Sequence, residues 1–346
     1  MFCFLPAAGA SYGTAPRRYI GRRSPCGVRR WPPTPRAPYP RPGGPAGMAQ
    51  GRTVGGNVAE RTRRRLLETP HGYMECREAG SGAPLVLLHA TPTSSAMYSE
   101  LLPLLAAGPA GGRGGVRAIA LSTMGYGASD RPPEPYSTVR EFAQAVVWAM
   151  EALGLARADL FATHTGAVVG VELAATWPER VSSLVLEEIN DYNNDEGRAY
   201  HEGRHFYREP RSDGSHLLEL WSDLAVLGPS PGLRVSSERY LDTLRVNVPP
   251  PGDAYLHMGW RGAGPYTICR YPLWERLPRV RAPALVIHGV NSRIRPLHER
   301  VVEALPDARG VLVPSRAVFT PNENPGLLAE ITLAFLAGHG LASGEG

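Results

Sequence analysis

The sequence predicts an α/β protein built on a mostly parallel sheet with helices on both faces. Continuous apolar runs at residues 84–89, 116–121 and 284–289 are typical of strands that are buried on both faces. Segments with the apolar spacing of amphipathic helices separate these runs. Strands that alternate with helices in this way form βαβ units, and such units produce a parallel sheet.

Local signals support the same order of elements along the chain. Residues 65–80 predict a β-hairpin before the parallel strands begin. Thr138 and Glu141 form the capping-box pattern that begins a helix. Residues 181–187 predict another buried strand, and Pro325 is placed to begin the last helix.

The alternation of strands and helices stops at Asn190 and resumes at the strand of residues 284–289. Residues 190–280 contain helical fragments, glycines and prolines, but no strong strand pattern. We therefore expect a helical cap over the carboxyl edge of the sheet, inserted into a core formed by residues 61–189 and 281–342.

Residues 1–60 are rich in proline, arginine and glycine and show no apolar periodicity. Such a segment buries too little apolar surface to offset the entropy of ordering it. It is interpreted as a disordered tail, a targeting segment, or the product of an upstream start with the protein proper beginning at Met48.

Charge and cysteine usage exclude several classes of protein. Thirteen of the 37 basic residues lie in residues 1–65, so the remainder is mildly acidic and nothing indicates a nucleic-acid partner. No apolar run reaches the roughly 18 residues of a membrane span. The four cysteines have no metal-binding spacing, which favours a cytoplasmic protein without a metal or cofactor.

The most informative stretch is residues 159–173, which read as an apolar strand, a tight turn and a helix. This is the outline of a nucleophile elbow, whose usual pattern is Gly-x-Ser-x-Gly. Here Ala162 begins the pattern and Gly166 ends it, and His164 takes the place of the serine. The dipole of the following helix disfavours a cationic ring, so we expect His164 to be neutral near pH 7, as a general base should be.

Several motifs together resemble the α/β-hydrolase fold over residues 65–340. Within that fold the sequence is similar to the capped group that includes haloalkane dehalogenases, epoxide hydrolases and proline iminopeptidases. The motifs are the elbow and the segments at residues 88–92, 125–132, 175–186 and 283–289.

The resemblance implies that the usual catalytic triad is altered at all three positions. The nucleophile position holds His164, the acid position after the strand of residues 284–289 holds Ser292, and the base position holds Val318. A Ser-His-Asp mechanism needs a nucleophile, a base and an orienting anion, so this mechanism is not expected here.

The resemblance also implies which groups remain for chemistry. The backbone amides of Thr91 and Thr165 match the family's oxyanion hole, which is independent of side-chain changes. Glu187 matches the position at which some haloalkane dehalogenases carry their acid, so Glu187 and His164 are the predicted catalytic pair.

Other histidines are weighed separately. His257 and Trp260 in the cap are predicted to contact a substrate. His201 and His205 match the His-Glu-x-x-His pattern of zinc proteases, but a glycine interrupts the helix and no third ligand follows, so no metal is predicted. His89 and His288 are expected to be structural.

Three functions follow from these observations. The first is an enzyme that acts on a small, largely apolar carbonyl or ester-type compound, with His164 as base in elimination, cyclisation or hydrolysis by activated water. The second is a ligand-binding protein without catalysis. The third is a conventional esterase whose nucleophile is one of Ser94, Ser95 and Ser122. The expected partner is a small molecule, and the oligomeric state is left open.

Overall fold

The computed structural model describes residues 62–108, 115–202, 210–219, 264–314 and 320–338. The predicted tail of residues 1–60 lies outside these ranges, as does most of the predicted cap between residues 220 and 263. Within the described ranges, no helix is both long enough and apolar enough to cross a membrane.

The described residues form one eight-stranded sheet in the order β1-β2-β4-β3-β5-β6-β7-β8. The pairs β1–β2 and β2–β4 are antiparallel, and all the others are parallel. The mostly parallel α/β fold predicted from the sequence is thus confirmed. The strands are β1 (Arg63–Thr69), β2 (Gly72–Ala79), β3 (Pro84–Leu88), β4 (Arg117–Leu121), β5 (Ala158–Thr163), β6 (Val181–Glu187), β7 (Ala284–Gly289) and β8 (Ala308–Val313).

Helices cover both faces of this sheet. The described α-helices are α1 (Leu101–Ala107), α2 (Val139–Ala152), α3 (Thr165–Thr176), α4 (Asp195–Glu202), α5 (Gly264–Ile268), α6 (Leu273–Arg276), α7 (His298–Ala304), α8 (Thr320–Glu323) and α9 (Pro325–Gly338). Alternate side chains of β3 enter different cores, because successive residues of a strand point to opposite faces. Val86 and Leu88 pack with α2 and α3, whereas Leu85 and Leu87 pack with α1 and α9.

The local signals read from the sequence are found in the structure. The β1–β2 hairpin closes with Thr69 opposite Gly72. Thr138 and Glu141 form a complete capping box at the start of α2. These features define the edge of the sheet at β1 and the start of the helix α2.

The chain returns from the predicted cap to the core through α5 and α6, and a buried carboxylate anchors it there. Glu172 of α3 accepts hydrogen bonds from the Tyr271 hydroxyl and from the Arg276 guanidinium, each at 2.9 Å. Glu172 is only 4% exposed, and a buried charge of this kind needs partners in good geometry. The returning segment is therefore fixed to the same helix that begins at the elbow.

The start of α3 lies very close to the end of β3. A Cβ atom on Gly166 would overlap the carbonyl oxygen of Leu88 and lie 2.8 Å from that of His89. Only a glycine allows this approach, and its place in the sequence is the last position of the elbow pattern.

We expect Gly166→Ala to lower the free energy of unfolding by about 1–3 kcal/mol or more, because the added methyl group has no room beside rigid backbone. Gly326 is a matched control: it is also the second residue of its helix, and a Cβ there would meet a single atom at 3.9 Å. Gly326→Ala should be neutral or stabilising by up to about 1 kcal/mol. Urea denaturation of both variants makes the comparison, and equal stability of the two would contradict the close approach at Gly166.

Candidate functional site

His164 stands at the tip of the turn between β5 and α3, as the elbow pattern predicts. Its backbone has φ 52° and ψ −109°, a left-handed conformation that a residue other than glycine rarely adopts. Such a conformation costs of order 1–3 kcal/mol and persists when the surroundings impose it. Its amide donates to the carbonyl oxygen of Glu187 at 2.9 Å, which ties the tip to the neighbouring strand.

The imidazole of His164 is 7% exposed and has a side-chain partner that the sequence did not indicate. Its Nε2 lies 3.3 Å from the hydroxyl oxygen of Tyr192, a residue in the segment after β6. That oxygen in turn accepts a hydrogen bond of 3.0 Å from Nη2 of Arg293, which follows β7. The carboxyl ends of three adjacent strands thus each contribute one member of this series.

Glu187, the predicted partner of His164, is the last residue of β6 and is completely buried. It lies opposite Thr163 in the sheet, next to the elbow. Burial raises the pKa of Tyr98, and the nearby charge of Glu187 raises it further, so the carboxylate lies near that phenol. The Tyr98 hydroxyl also donates to Thr163 Oγ1 at 2.9 Å. Glu187 therefore belongs to the polar group beneath the elbow, and its side-chain pairing with His164 stays a prediction.

The two residues of the predicted oxyanion hole are in direct contact. Oγ1 of Thr91 lies 2.8 Å from Oγ1 of Thr165, so a hydrogen bond joins the loop after β3 to the start of α3. Gly264 of α5 covers this pair: a Cβ there would lie 2.8 Å and 2.9 Å from the two threonine methyl groups. The Gly264 amide donates to the Tyr126 hydroxyl at 2.7 Å, which holds it in place. Thr165 opens α3, and the first amides of a helix have no acceptor within the helix.

A second strained residue lies beside the site. Among the described residues, Glu188 is the only residue other than His164 and glycine with a positive φ, at 51°. Its buried carboxyl group accepts hydrogen bonds from the Gly289 amide at 2.7 Å and from Ser292 Oγ at 2.5 Å. Ser292 is the residue predicted at the family's acid position, and it donates to a carboxyl group that follows the neighbouring strand β6. Burial raises the pKa of Glu188 to about 7, and the charge of Glu323 also raises it.

Two other buried histidines have structural partners on both ring nitrogens. His89 Nδ1 donates to the carbonyl oxygen of the next residue at 2.9 Å, and its Nε2 accepts from the Thr123 amide at 3.0 Å. His288 Nε2 donates to the Ile189 carbonyl at 3.0 Å, and its Nδ1 lies 3.1 Å from Nδ1 of His298. Burial lowers the pKa of both His89 and His288 to about 4. Both rings are therefore neutral, consistent with the structural role expected for them.

The remaining candidates fall partly outside the described residues. His257 and Trp260, the predicted substrate contacts, lie outside them, as do Val318 and His205. His201 is described, and its ring packs edge-on against Tyr192 at 4.4 Å between centroids. Within the described ranges, no group of three or more His, Cys, Asp or Glu side chains is arranged to hold a metal ion.

Sequence reasoning missed Tyr192, Arg293 and the bond between Glu188 and Ser292. These residues lie in segments after different strands, and only the order of the strands in the sheet brings them together. The available signal was weak: Glu188, Tyr192 and Arg293 each follow a predicted strand at its carboxyl end, where parallel sheets place their sites.

Glu188 provides a test of the electrostatics at this edge. Its folded-state pKa of about 7 is above the ordinary value of 4.5, so the folded protein binds this proton more tightly than the unfolded chain does. The resulting stabilisation is complete below about pH 4.5 and is lost as the pH rises through 7. Glu188→Gln keeps the shape of the side chain and cannot ionise. The melting temperature of the wild type minus that of this variant should therefore decrease as the pH rises from 5 to 8.

Thermal unfolding followed by circular dichroism at several pH values measures this difference. Glu303→Gln, which changes an exposed carboxylate of α7, serves as the control and should show no comparable trend. A constant difference between wild type and Glu188→Gln across this pH range would show that the Glu188 carboxyl is already ionised at pH 5.

Comparisons with known proteins agree with this architecture. The family described as "alpha/beta hydrolase fold" matches residues 83–208. A haloalkane dehalogenase of Mycobacterium marinum is 36% identical over 123 residues, and one of Agrobacterium fabrum is 32% identical over 111 residues. These alignments cover 34% and 32% of this chain, and they span only 39% and 34% of the length of the two dehalogenases.

Solved structures match over a greater length. Cfl2 from Burkholderia cenocepacia superposes with a TM-score of 0.64 at 20% identity, covering 79% of this chain and 95% of Cfl2. The epoxide hydrolase VrEH1 from Vigna radiata superposes with a TM-score of 0.61 at 18% identity, covering 82% of this chain and 99% of VrEH1. At such identities the likeness establishes the fold, and the relatives named here for an activity are hydrolase-type enzymes. The matched family over residues 83–208, the strand order and the elbow together show that the chain has an α/β-hydrolase fold.

Proposed function

We propose that this protein is an enzyme in which His164, in place of a serine nucleophile, acts as a general base on a small, largely apolar carbonyl or ester-type compound. The observation that carries the proposal is the position of a buried imidazole at the strained tip of an otherwise intact elbow. Backbone strain of this kind is concentrated at functional sites. A histidine is the side chain best suited to exchange a proton near neutral pH.

The reaction that these groups support most directly is hydrolysis by an activated water molecule. The imidazole of His164 takes one proton from the water as its oxygen bonds to the carbonyl carbon. The carbonyl oxygen becomes an oxyanion, and collapse of this intermediate breaks the ester C–O bond. The leaving oxygen receives the proton from the imidazolium, so that ester and water give acid and alcohol with His164 restored.

The oxyanion is assigned to the backbone amides of Thr91 and Thr165. The threonine hydroxyls bond to each other, which holds the loop after β3 against the start of α3. Amides fixed in this way stabilise developing charge without reorganising during the reaction, and the N-terminus of α3 adds a favourable dipole. Elimination or cyclisation of a carbonyl compound uses the same two elements, a base and a fixed oxyanion site.

Glu187 is proposed to orient the imidazole or to stabilise its cationic form. It adjoins the elbow through the pairing of β5 with β6, and it carries a fully buried carboxylate. A buried carboxylate near a histidine favours the imidazolium that forms when the base accepts a proton.

The serine alternative receives less support from the described contacts. Ser122 Oγ donates to a carboxylate oxygen of Glu75 and accepts from Ser95 Oγ, each at 2.9 Å. Both serines are buried within this group, and Ser122 also accepts the Ser95 amide. Such contacts are typical of a structural network, and the contacts described for Ser122 and Ser95 include no histidine that could activate them.

We expect His164→Ala to reduce kcat/KM by about 10²–10⁴-fold, because it removes the base and leaves the oxyanion amides in place. Turnover of short-chain nitrophenyl esters and lactones is measured first for the wild type. His71→Ala, which changes a histidine in the β1–β2 turn at the edge of the sheet, is the control and should retain activity. Undiminished turnover by a folded His164→Ala protein would rule out His164 as base. Ligand-dependent thermal stabilisation without any turnover would instead support a binding protein.

A fluorophosphonate probe tests the serine alternative independently. These reagents label serines that a neighbouring base activates, so we expect no stoichiometric labelling of the wild-type protein in intact-mass spectra. A trypsin sample treated in parallel verifies the reagent. Stoichiometric labelling of one serine, located by peptide mapping, would replace the proposed mechanism with an acyl-serine one.

A further inference from the structure

One buried tyrosine, in the loop after β4, bonds to the first residue of the returning segment α5. The Tyr126 hydroxyl accepts a hydrogen bond of 2.7 Å from the Gly264 amide, and its direction is fixed because an amide N–H can only donate. Tyr126 is 2% exposed, so this bond forms out of water, where hydrogen bonds are stronger. The bond therefore attaches α5 to the core of the protein.

The loop that carries Tyr126 is itself bonded to β2. The Ser129 amide donates to the Tyr126 carbonyl at 3.0 Å, which closes the loop. The buried carboxylate of Glu75, in β2, accepts from the Ala128 amide at 2.8 Å. The Tyr126 ring also packs edge-on against the ring of His89, at 5.4 Å between centroids. The phenol therefore projects towards α5 from a loop that is held on the sheet.

The same hydroxyl lies beside the threonine pair at the elbow. Burial raises the pKa of the Tyr126 phenol, and hydrogen bonding with the Gly264 amide and with the Thr91 side chain opposes this rise. Oγ1 of Thr91 in turn lies 2.8 Å from Oγ1 of Thr165. Polar neighbours thus follow one another from α5, through the phenol and the loop after β3, to the start of α3.

Apolar contacts bring α5 against the same two threonines. A Cβ on Gly264 would lie 2.8 Å from the methyl carbon of Thr91 and 2.9 Å from that of Thr165. Gly264 therefore has both its hydrogen bond to the phenol and its closest approach to the threonines. A movement of α5 away from the core would break both contacts at once.

We propose that Tyr126 is a positioning residue that holds α5 against Thr91 and Thr165 and thereby fixes the loop after β3. This inference deepens the proposed function, and it rests on that function only for the catalytic use of the Thr91 amide. The attachment of α5 is a property of the resting protein and is measured without substrate.

Hydrogen exchange of the full chain, resolved to the Gly264 amide by fragmentation in the mass spectrometer, tests the attachment. Tyr126→Phe keeps the ring and removes the acceptor, so this amide should exchange about two- to tenfold faster. Tyr136→Phe is the matched control, since it removes the hydroxyl of a buried phenol that lies 2.9 Å from Nδ1 of His71. It should leave the exchange at Gly264 unchanged. Equal exchange in the wild type and in folded Tyr126→Phe would overturn the proposal.

Kinetics on an ester that the wild type hydrolyses test the positioning role. Fixed oxyanion amides act on the transition state, so Tyr126→Phe should lower kcat by about two- to tenfold and change KM by less than about twofold. An unchanged kcat, or a loss confined to KM, would contradict this role. If His164→Ala retains full turnover, the proposed function fails, whereas faster exchange in Tyr126→Phe still supports the attachment of α5.

Gly264→Ala disturbs the same contact from the side of α5. Its methyl group displaces α5 from the two threonines, so the amides of α5 should exchange faster by about two- to tenfold and kcat should fall. Combined with Tyr126→Phe, it should lower kcat by no more than the larger single change, because both changes break one contact. Effects that multiply would show that the two residues act independently and would refute the proposal. If Tyr126→Phe does not fold, unchanged exchange of α5 in Gly264→Ala refutes it alone.

Discussion

The site depends on the close approach of the start of α3 to the end of β3. Gly166 lets the helix begin directly against the carbonyl groups of Leu88 and His89. This contact turns the chain sharply at His164, whose positive φ is the visible result. The same approach brings Thr165 to Thr91 across the junction. One missing side chain therefore sets the positions of the imidazole and of the two threonines.

The carboxyl edge of the sheet around the elbow contains several buried polar groups. Glu187 and Glu188 are both fully buried at the end of β6, and the carboxyl group of Glu188 accepts hydrogen bonds from the Gly289 amide and Ser292 Oγ. Burial disfavours the charged form of a carboxyl group, which is why the pKa of Glu188 rises to about 7. Groups whose protonation changes near neutral pH are concentrated at functional sites, although structural networks also produce them. This edge therefore combines backbone strain at His164 and Glu188 with a raised pKa at Glu188.

Much of the fold was predictable because it depends on local patterns. The apolar runs gave the parallel strands, the capping box gave the start of α2, and Gly166 identified the elbow. Tyr192 and Arg293 were not predictable, since 101 positions separate them in the chain and their contact depends on the order of β6 and β7 in the sheet. The sequence placed His164 correctly, but the bond at its Nε2 is a tertiary property that no spacing encodes.

Position 264 requires a glycine because of the space available, since Gly264 is not among the glycines with a positive φ. The returning chain lies on the methyl groups of Thr91 and Thr165 with only a hydrogen atom between them. Any larger residue at this position has to lift α5 away from the two threonines, and the Tyr126 hydroxyl would then lose its amide partner. One position thus sets the distance between α5 and the two threonines, and a change of its side chain would change the space beside the start of α3.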